Sequence, residues 1–291
     1  GEAFSSSLAR HARVFSALYV SLVRAGEESG ALGETLRQVS AFLENQYALR
    51  RKVRGALAYP VFVLFVAGAA TVFMLAFVVP AFADLFREFG ETLPAPTRVL
   101  LAISHAITGY WWMGLPLLGA LVWLGSRLAK HPAVRERLER MLVRLPYVGA
   151  LVQAALSARL CRTLGTLLTH GVRLREALPL AARALSFAMY REAVRRLARL
   201  VEGGRGLGEA ASRVRVLPPL VVQIIAIGEE TARLDALLLE AAEHYEAEVE
   251  SRLAVLVSLL EPLLIVLVGL VLGAILVALY LPMFDLMNVV Q

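Results

Sequence analysis

Three long stretches of the chain carry no Asp, Glu, Lys or Arg. They lie between Arg54 and Asp84, between Arg98 and Arg127, and from Pro262 to Phe284. A bilayer core of about 30 Å needs roughly 20 apolar residues in a helix, so each stretch is long enough to be a span. Ahead of the first, Leu32, Leu36, Val39, Leu43 and Tyr47 recur three and four positions apart, which marks one face of a helix. That helix is predicted to run from Ala31 straight into the first span, with a kink at Pro60 where a backbone donor is lost. Residues 127–252 are cut by Gly, Pro and polar breaks into shorter helices. One ends near His170-Gly171, a second covers about Leu174 to Leu185 with Pro179 inside, and a third covers about Met189 to Glu202. A short one spans about Gly208 to Arg213, and Pro218-Pro219 starts another that ends at Gly228. The last begins near Ala232 and enters the third span. No alternating pattern flanked by turn residues occurs, so the fold class is all-α.

The chain also repeats itself. A shift of 202 residues places Gly26-Glu27-Glu28 on Gly228-Glu229-Glu230, Leu32 and Leu36 on Leu234 and Leu238, Glu44 on Glu246, and Arg50 on Arg252. The same frame places Pro60 on Pro262, Pro80 on Pro282 and Phe82 on Phe284, giving fourteen identities over 57 positions without a gap. Two apolar helices match by chance at scattered Leu and Val, not at paired prolines, a Gly-Glu-Glu and a lone Glu in one frame. The duplicated unit is a helical segment joined to a membrane helix. Upstream of it, Gly1-Glu2-Ala3 matches Gly208-Glu209-Ala210 after a five-residue shift. The first copy is thus expected to lack counterparts of residues from about 150 to 207, and its helices alone could not close a bundle.

The expected organisation is a partial first cytoplasmic helical domain (1–54), a first span (55–83), a periplasmic loop (84–98) and a second span (99–126). A second cytoplasmic bundle (127–252), a third span (253–284) and a periplasmic tail (285–291) follow. Within the loop, Leu93-Pro94-Ala95-Pro96 is the rigid part, and Thr97 is placed to cap the second span. Pro80 and Pro282 are expected to mark the far ends of their spans.

Composition agrees with a membrane protein: 58% hydrophobic, 19% charged, mean hydropathy +0.65. The net charge of +6 raises nucleic acid as a partner, but its placement argues for lipid. Arg50, Arg51, Lys52 and Arg54 precede the first stretch, and Arg127, Lys130, Arg135, Arg137, Arg140 and Arg144 follow the second. Positive residues stay on the cytoplasmic side, so the first span runs outward and the second returns; the flank before the third is acid-rich (Glu243, Glu246, Glu248, Glu250), and parity directs that span outward again. The lone Cys161 excludes a disulfide within one chain and reads as a small residue on a helix face.

Motifs for chemistry are missing. There is no Gly-x-x-x-x-Gly-Lys-Ser/Thr loop, no His-Glu-x-x-His and no Gly-x-Ser-x-Gly, and the five histidines show no metal spacing. The expectation is a non-enzyme without cofactor, catalytic residue or metal site. His105, near Ser104 and Thr108, reads as an interfacial hydrogen-bonded residue. Tyr110-Trp111-Trp112 marks either a packing face or the true interface level. Glu261, beside Pro262, is expected at the cytoplasmic lip, paired with Arg252 or capping a kink. The most informative polar residues are Glu27, Glu28, Glu229 and Glu230. They either stabilise a helix junction or form a docking surface or weak cation site.

Gly26-Glu27-Glu28-Ser29-Gly30-Ala31-Leu32, Tyr59-Pro60, Val79-Pro80-Ala81-Phe82 and Leu93-Pro94-Ala95-Pro96-Thr97 resemble the inner-membrane platform proteins of type II secretion and type IV pilus machines. Gly171-Val172, Gly228-Glu229-Glu230, Tyr245-Glu246, Glu261-Pro262 and Tyr280-Leu281-Pro282-Met283-Phe284 continue the resemblance, in order, over nearly the whole chain. One departure is Thr231-Ala232, where the family usually has Ser-Gly, so that corner is expected to be a plainer helix-to-helix link. The resemblance implies a homo-oligomer in the cytoplasmic membrane whose cytoplasmic bundles meet a hexameric assembly ATPase. Its spans would hold or pass pilin or pseudopilin subunits, beside other inner-membrane assembly components. The wording around Leu93 to Thr97 and Tyr110-Trp111-Trp112 leans toward the pilus branch. The rival reading is a small transporter or channel built on a parallel repeat, which predicts charged or broken helices at mid-bilayer.

Overall fold

A computed structural model describes residues 2–11, 14–28, 30–82 and 94–289; inside the helices, several side chains near residues 38–50, 111–132 and 283–289 fall outside that description. Ser29, most of the outer loop (84–93, with Asp84, Arg87, Glu88, Glu91 and Leu93) and the side chains of Leu43, Arg50, Trp111, Lys130 and Phe284 therefore lie outside the described residues. The described residues form helices joined by turns, with no strand among them. The chain divides into two compact units: Gly1–Arg54 with Pro132–Leu256, and Gly55–His131 with Val257–Gln291.

The first unit contains α1 (Phe4–Ala9), α2 (Ala17–Glu28) and the beginning of α3 (Leu32–Phe73). It continues with α5 (Pro132–Arg144), α6 (Val148–Thr169), α7 (Leu174–Ala184), α8 (Ala188–Glu202), α9 (Leu207–Ser212) and α10 (Pro219–Glu230), and with the first turns of α11 (Leu234–Val289). Its core is built around α6, whose Leu156, Leu160, Cys161, Leu164 and Leu167 meet Leu178, Val194, Leu197, Leu207, Ile225 and Leu238. Leu22 of α2 and Val39 of α3 join that core, so the helices of the first copy share apolar cover with the bundle. The predicted face of α3 is buried only in part. Val39 is buried and Leu32 and Leu36 half-buried, whereas Tyr47 is 65% exposed.

Helix ends follow local chemistry. α6 and α8 close on Gly171 and Gly204, both at positive φ (74° and 86°). In each case the next amide reaches back five residues, Val172 N–H to the Leu167 carbonyl (3.0 Å) and Arg205 N–H to the Leu200 carbonyl (3.2 Å), the bonding of a Schellman cap. Gly228 was expected past the end of α10, yet α10 continues to Glu230. Between α5 and α6 the chain turns by 107°. Tyr147 takes φ 63° there, and a Cβ on Gly149 would fall 2.1 Å from the Val143 carbonyl oxygen.

The second unit contains the rest of α3, a π-helical turn at Met74–Val78 that leads back into helix through Phe82, α4 (Ala95–Lys130) and the remainder of α11. Among the described residues, two helices are long and apolar enough to cross a membrane: Arg51–Phe82 and Leu234–Pro282. Their surfaces are mostly uncovered, with Phe65 at 72% and Leu270 at 67% exposure. Bulky apolar side chains in that state call for lipid or another apolar partner. The bent pair α5–α6 would count as a third only if taken as one broken span. The six charged residues of α5 and the burial of α6 in the first unit argue against that. The stretch predicted as a second span lies in α4, whose backbone breaks at Tyr110 (φ −114°, ψ 17°). Tyr110 and Trp112 are exposed, so neither marks a packing face within the chain. Pro60 and Pro262 lie inside their helices, and helix continues past Pro80 to Phe82 and past Pro282 to Val289.

Candidate functional site

The acidic corners are helix junctions. At the second corner, α9 is only six residues long and its N-cap is Gly206, which offers no side chain to cap it. Its unpaired first amides are met from a distance. Glu229 Oε1 accepts from Leu207 N–H (2.6 Å) and Oε2 from Gly208 N–H (2.7 Å). A carboxylate at a helix N-terminus satisfies orphan donors and opposes the helix dipole. The first corner repeats the arrangement: Glu27 Oε1 accepts from Phe4 N–H (2.7 Å) and Oε2 from Ser5 N–H (3.0 Å). The Ser5 amide, then the Ser5 hydroxyl and the Phe4 amide, hold the Glu27 carboxyl below its ordinary range, with Arg24 adding to the effect. Glu28 and Glu230 are exposed at both corners.

This geometry corrects the upstream alignment. Phe4-Ser5 stands where Leu207-Gly208 stands, and α1 and α9 begin 203 residues apart. The Gly1-Glu2-Ala3 match to Gly208-Glu209-Ala210 is therefore not structural; one extra residue between α1 and α2 replaces the five-residue shift. Downstream, α2 and α10, and then α3 and α11, start 202 residues apart.

Gly26 and Gly228 hold the inner side of each corner. A Cβ on Gly228 would sit 2.8 Å from Leu234 Cα, and one on Gly26 would sit 2.2 Å from Thr35 Oγ1. The turn between the helices is also shared. Gly30 has φ 71° and its counterpart Ala232 has φ 54°. Ala232 N–H reaches the Glu229 carbonyl (3.4 Å) and Arg233 N–H the Gly228 carbonyl (3.0 Å), a Schellman cap built on alanine. The expectation of a plainer link at Thr231-Ala232 is thus overturned. The second corner keeps the left-handed residue and bears its steric cost of roughly 1–2 kcal/mol.

The remaining repeat positions diverge. Glu246 receives a two-pronged contact from Arg162, Nε to Oε1 at 3.0 Å and Nη2 to Oε2 at 2.8 Å. The hydrogen bonds to Glu246 push the Arg162 guanidinium further up. Glu44 is exposed and accepts a long bond from the Ser40 hydroxyl, 3.3 Å. Glu261 is exposed, and Arg252 turns to Glu248 rather than to it. Cys161 is fully buried, and burial pushes its thiol up to about 12, which makes it unreactive. Among the described residues, no group of three or more His, Cys, Asp or Glu is placed to hold a metal ion.

Two contacts in the second unit were not anticipated. In the π turn, Val79 N–H bonds the Met74 carbonyl five residues back. The next donor in that register would be Pro80, which has none, so the Leu75 carbonyl is orphaned. The Ser104 hydroxyl of α4 donates to it. In α11, Pro282 similarly removes the donor for the carbonyl four residues back, Ala278. The Thr97 hydroxyl of α4 donates there at 2.6 Å. Both hydroxyls are buried, beside Leu75, Val79, Leu100, Leu101, Ile275, Ala278 and Leu279. Thr97 is therefore not the N-cap of α4, which starts at Ala95; it bridges to the neighbouring helix. Hydroxyls that satisfy carbonyls freed by proline are how proline is tolerated where water is absent. The sequence signal was Thr97 and Ser104 seven apart, one face of a helix, with Leu100 and Leu101 between them.

The fold and these junctions define a helical membrane-type protein whose polar residues serve helix geometry. The family described as "Type II secretion system (T2SS), protein F" matches residues 1–80 and 160–282. The type IV pilus assembly protein TapC of Aeromonas hydrophila is 36% identical over all of this chain and 70% of its own length. The type IV pilus assembly protein PilC of Thermus thermophilus is 37% identical over 99% of this chain and 71% of its own. The type II secretion system protein F of Xanthomonas campestris is 35% identical over all of this chain and 72% of its own. The chain belongs to the type II secretion system protein F family.

Proposed function

We propose that this chain is a non-enzymatic, multi-pass platform of the bacterial inner membrane, with its bulk in the cytoplasm and its C-terminus periplasmic. It couples a cytoplasmic hexameric ATPase to incorporation of pilin or pseudopilin subunits, in type IV pilus assembly or type II secretion. The observation that carries this reading is the pair of continuous helices. α3 (42 residues) and α11 (56 residues) each leave a braced acidic corner and run unbroken into an apolar stretch. A continuous helix transmits torque or displacement, whereas a loop would absorb it. The 28 uncharged residues between Arg98 and Arg127 supply the intervening third span, which lets both repeats cross in the same sense. The acidic residues sit at helix junctions and the spans carry few ionisable groups, which favours a platform over a transporter or channel. Relatives named for pilus assembly and for secretion support the same role.

Inserting two or three glycines near Asn45 or Ala247 is expected to abolish filament assembly while the ATPase continues to hydrolyse ATP. Undiminished piliation or secretion in these variants would overturn the coupling role. Co-purification of the detergent-extracted protein with the pilus ATPases, then the secretion ATPase, identifies the branch.

A further inference from the structure

α5 is packed backwards. On a helix, Val134, Leu138, Met141, Leu142 and Leu145 fall on one stripe (i, i+4, i+7, i+8, i+11). Such a stripe ordinarily faces the core. Here Leu138 is 46% and Met141 62% exposed, and Leu142 and Leu145 are exposed with them. The side turned inward is polar. Glu139 is 7% exposed, accepts from Ala188 N–H at 2.7 Å and pairs with Arg135 at 2.9 Å. Arg135 also bonds the Ser186 carbonyl. The corner that follows is tight, since a Cβ on Gly149 would fall 2.1 Å from the Val143 carbonyl oxygen.

We propose that the outward stripe of α5 lies on the surface of a membrane rich in anionic lipid. The charge pattern selects this occupant. Arg137, Arg140 and Arg144 flank the stripe and are all exposed, the arrangement in which apolar side chains enter the headgroup boundary while guanidinium groups reach phosphates. The chain supplies the second argument. α4 ends at Lys130, one residue before α5, and Arg127 and Lys130 extend the basic segment at the end of the uncharged stretch. A juxtamembrane basic segment gains about 1 kcal/mol per Lys or Arg near an anionic leaflet, roughly five-fold in occupancy for each. The inference rests on the membrane reading above and adds to it a stationary contact that would brace the bundle on the bilayer.

The test uses the full chain in nanodiscs, labelled with an environment-sensitive fluorophore at Met141→Cys, Glu136→Cys or Leu270→Cys; the buried Cys161 needs no replacement. In discs with phosphatidylglycerol, the label at 141 should be quenched by doxyl lipid and shielded from iodide about five-fold better than the label at 136. In pure phosphatidylcholine, or with Arg137, Arg140 and Arg144 changed to Gln, that shielding should fall. A label at 141 open to iodide in both lipids, with 270 quenched by lipid, would sink the α5 contact alone. Failure of 270 as well would sink the membrane reading. Shielding at 141 that ignores lipid charge and accompanies disulfide cross-linking between copies would assign the stripe to self-association instead.

Discussion

The two copies of the repeat reach the same corner with different residues. The first turns on Gly30 and leaves Glu44 in solvent; the second turns on Ala232 and ties Glu246 to Arg162. What they share is a glutamate whose two oxygens hold two amides of an earlier short helix, and a glycine too close to the next helix to carry a side chain. The difference teaches which parts impose the shape. If the left-handed residue set the turn, alanine would have relaxed it. It did not, so the carboxylate clamp and the close approach at Gly26 and Gly228 dictate the backbone.

The largest effect is expected at that approach. Gly228→Ala puts a Cβ against the Leu234 backbone, which cannot rotate away, and should cost about 2–3 kcal/mol. Chemical or thermal unfolding of the detergent-solubilised chain measures it. A neutral outcome would mean that the corner is not held by contact. Next is the proline pairing. Thr97→Val strands the Ala278 carbonyl and should cost about 1–2 kcal/mol. Adding Pro282→Ala restores an amide donor and should recover most of that loss. Ser104→Ala with Pro80→Ala should behave alike, and rescue in one copy only would break the equivalence of the two contacts.

Smaller changes separate the turns. Ala232→Gly should stabilise the chain by about 1 kcal/mol and Gly30→Ala destabilise it comparably, so swapping the two residues exchanges their strain. The least effect is the acid response of the first corner. Folding depresses the Glu27 pKa, so its contribution is present above the unfolded value near 4.5 and is lost as pH falls through the lower folded value. Wild type should therefore lose stability in that acid range more steeply than Glu27→Gln, as read from melting curves across the range. Parallel curves would remove the clamp as its cause.

Much of this molecule was legible from residue order alone. The all-helical class, the apolar stretches, the duplication and the breaks at Gly171 and Gly204 follow from local properties: which side chains avoid water, how they repeat along a helix, and which residues tolerate positive φ. The same local logic misplaced the end of α10 and the cap at Thr97. Gly228 answers to Leu234 on the next helix, and Thr97 to Ala278, 181 residues away in sequence. Only the tertiary structure decided that Glu229 caps α9, that hydroxyls from α4 complete two helices interrupted by proline, and that α5 turns its apolar stripe outward. A hydrogen bond is satisfied by whichever group arrives, and spacing along the chain does not say which group that will be.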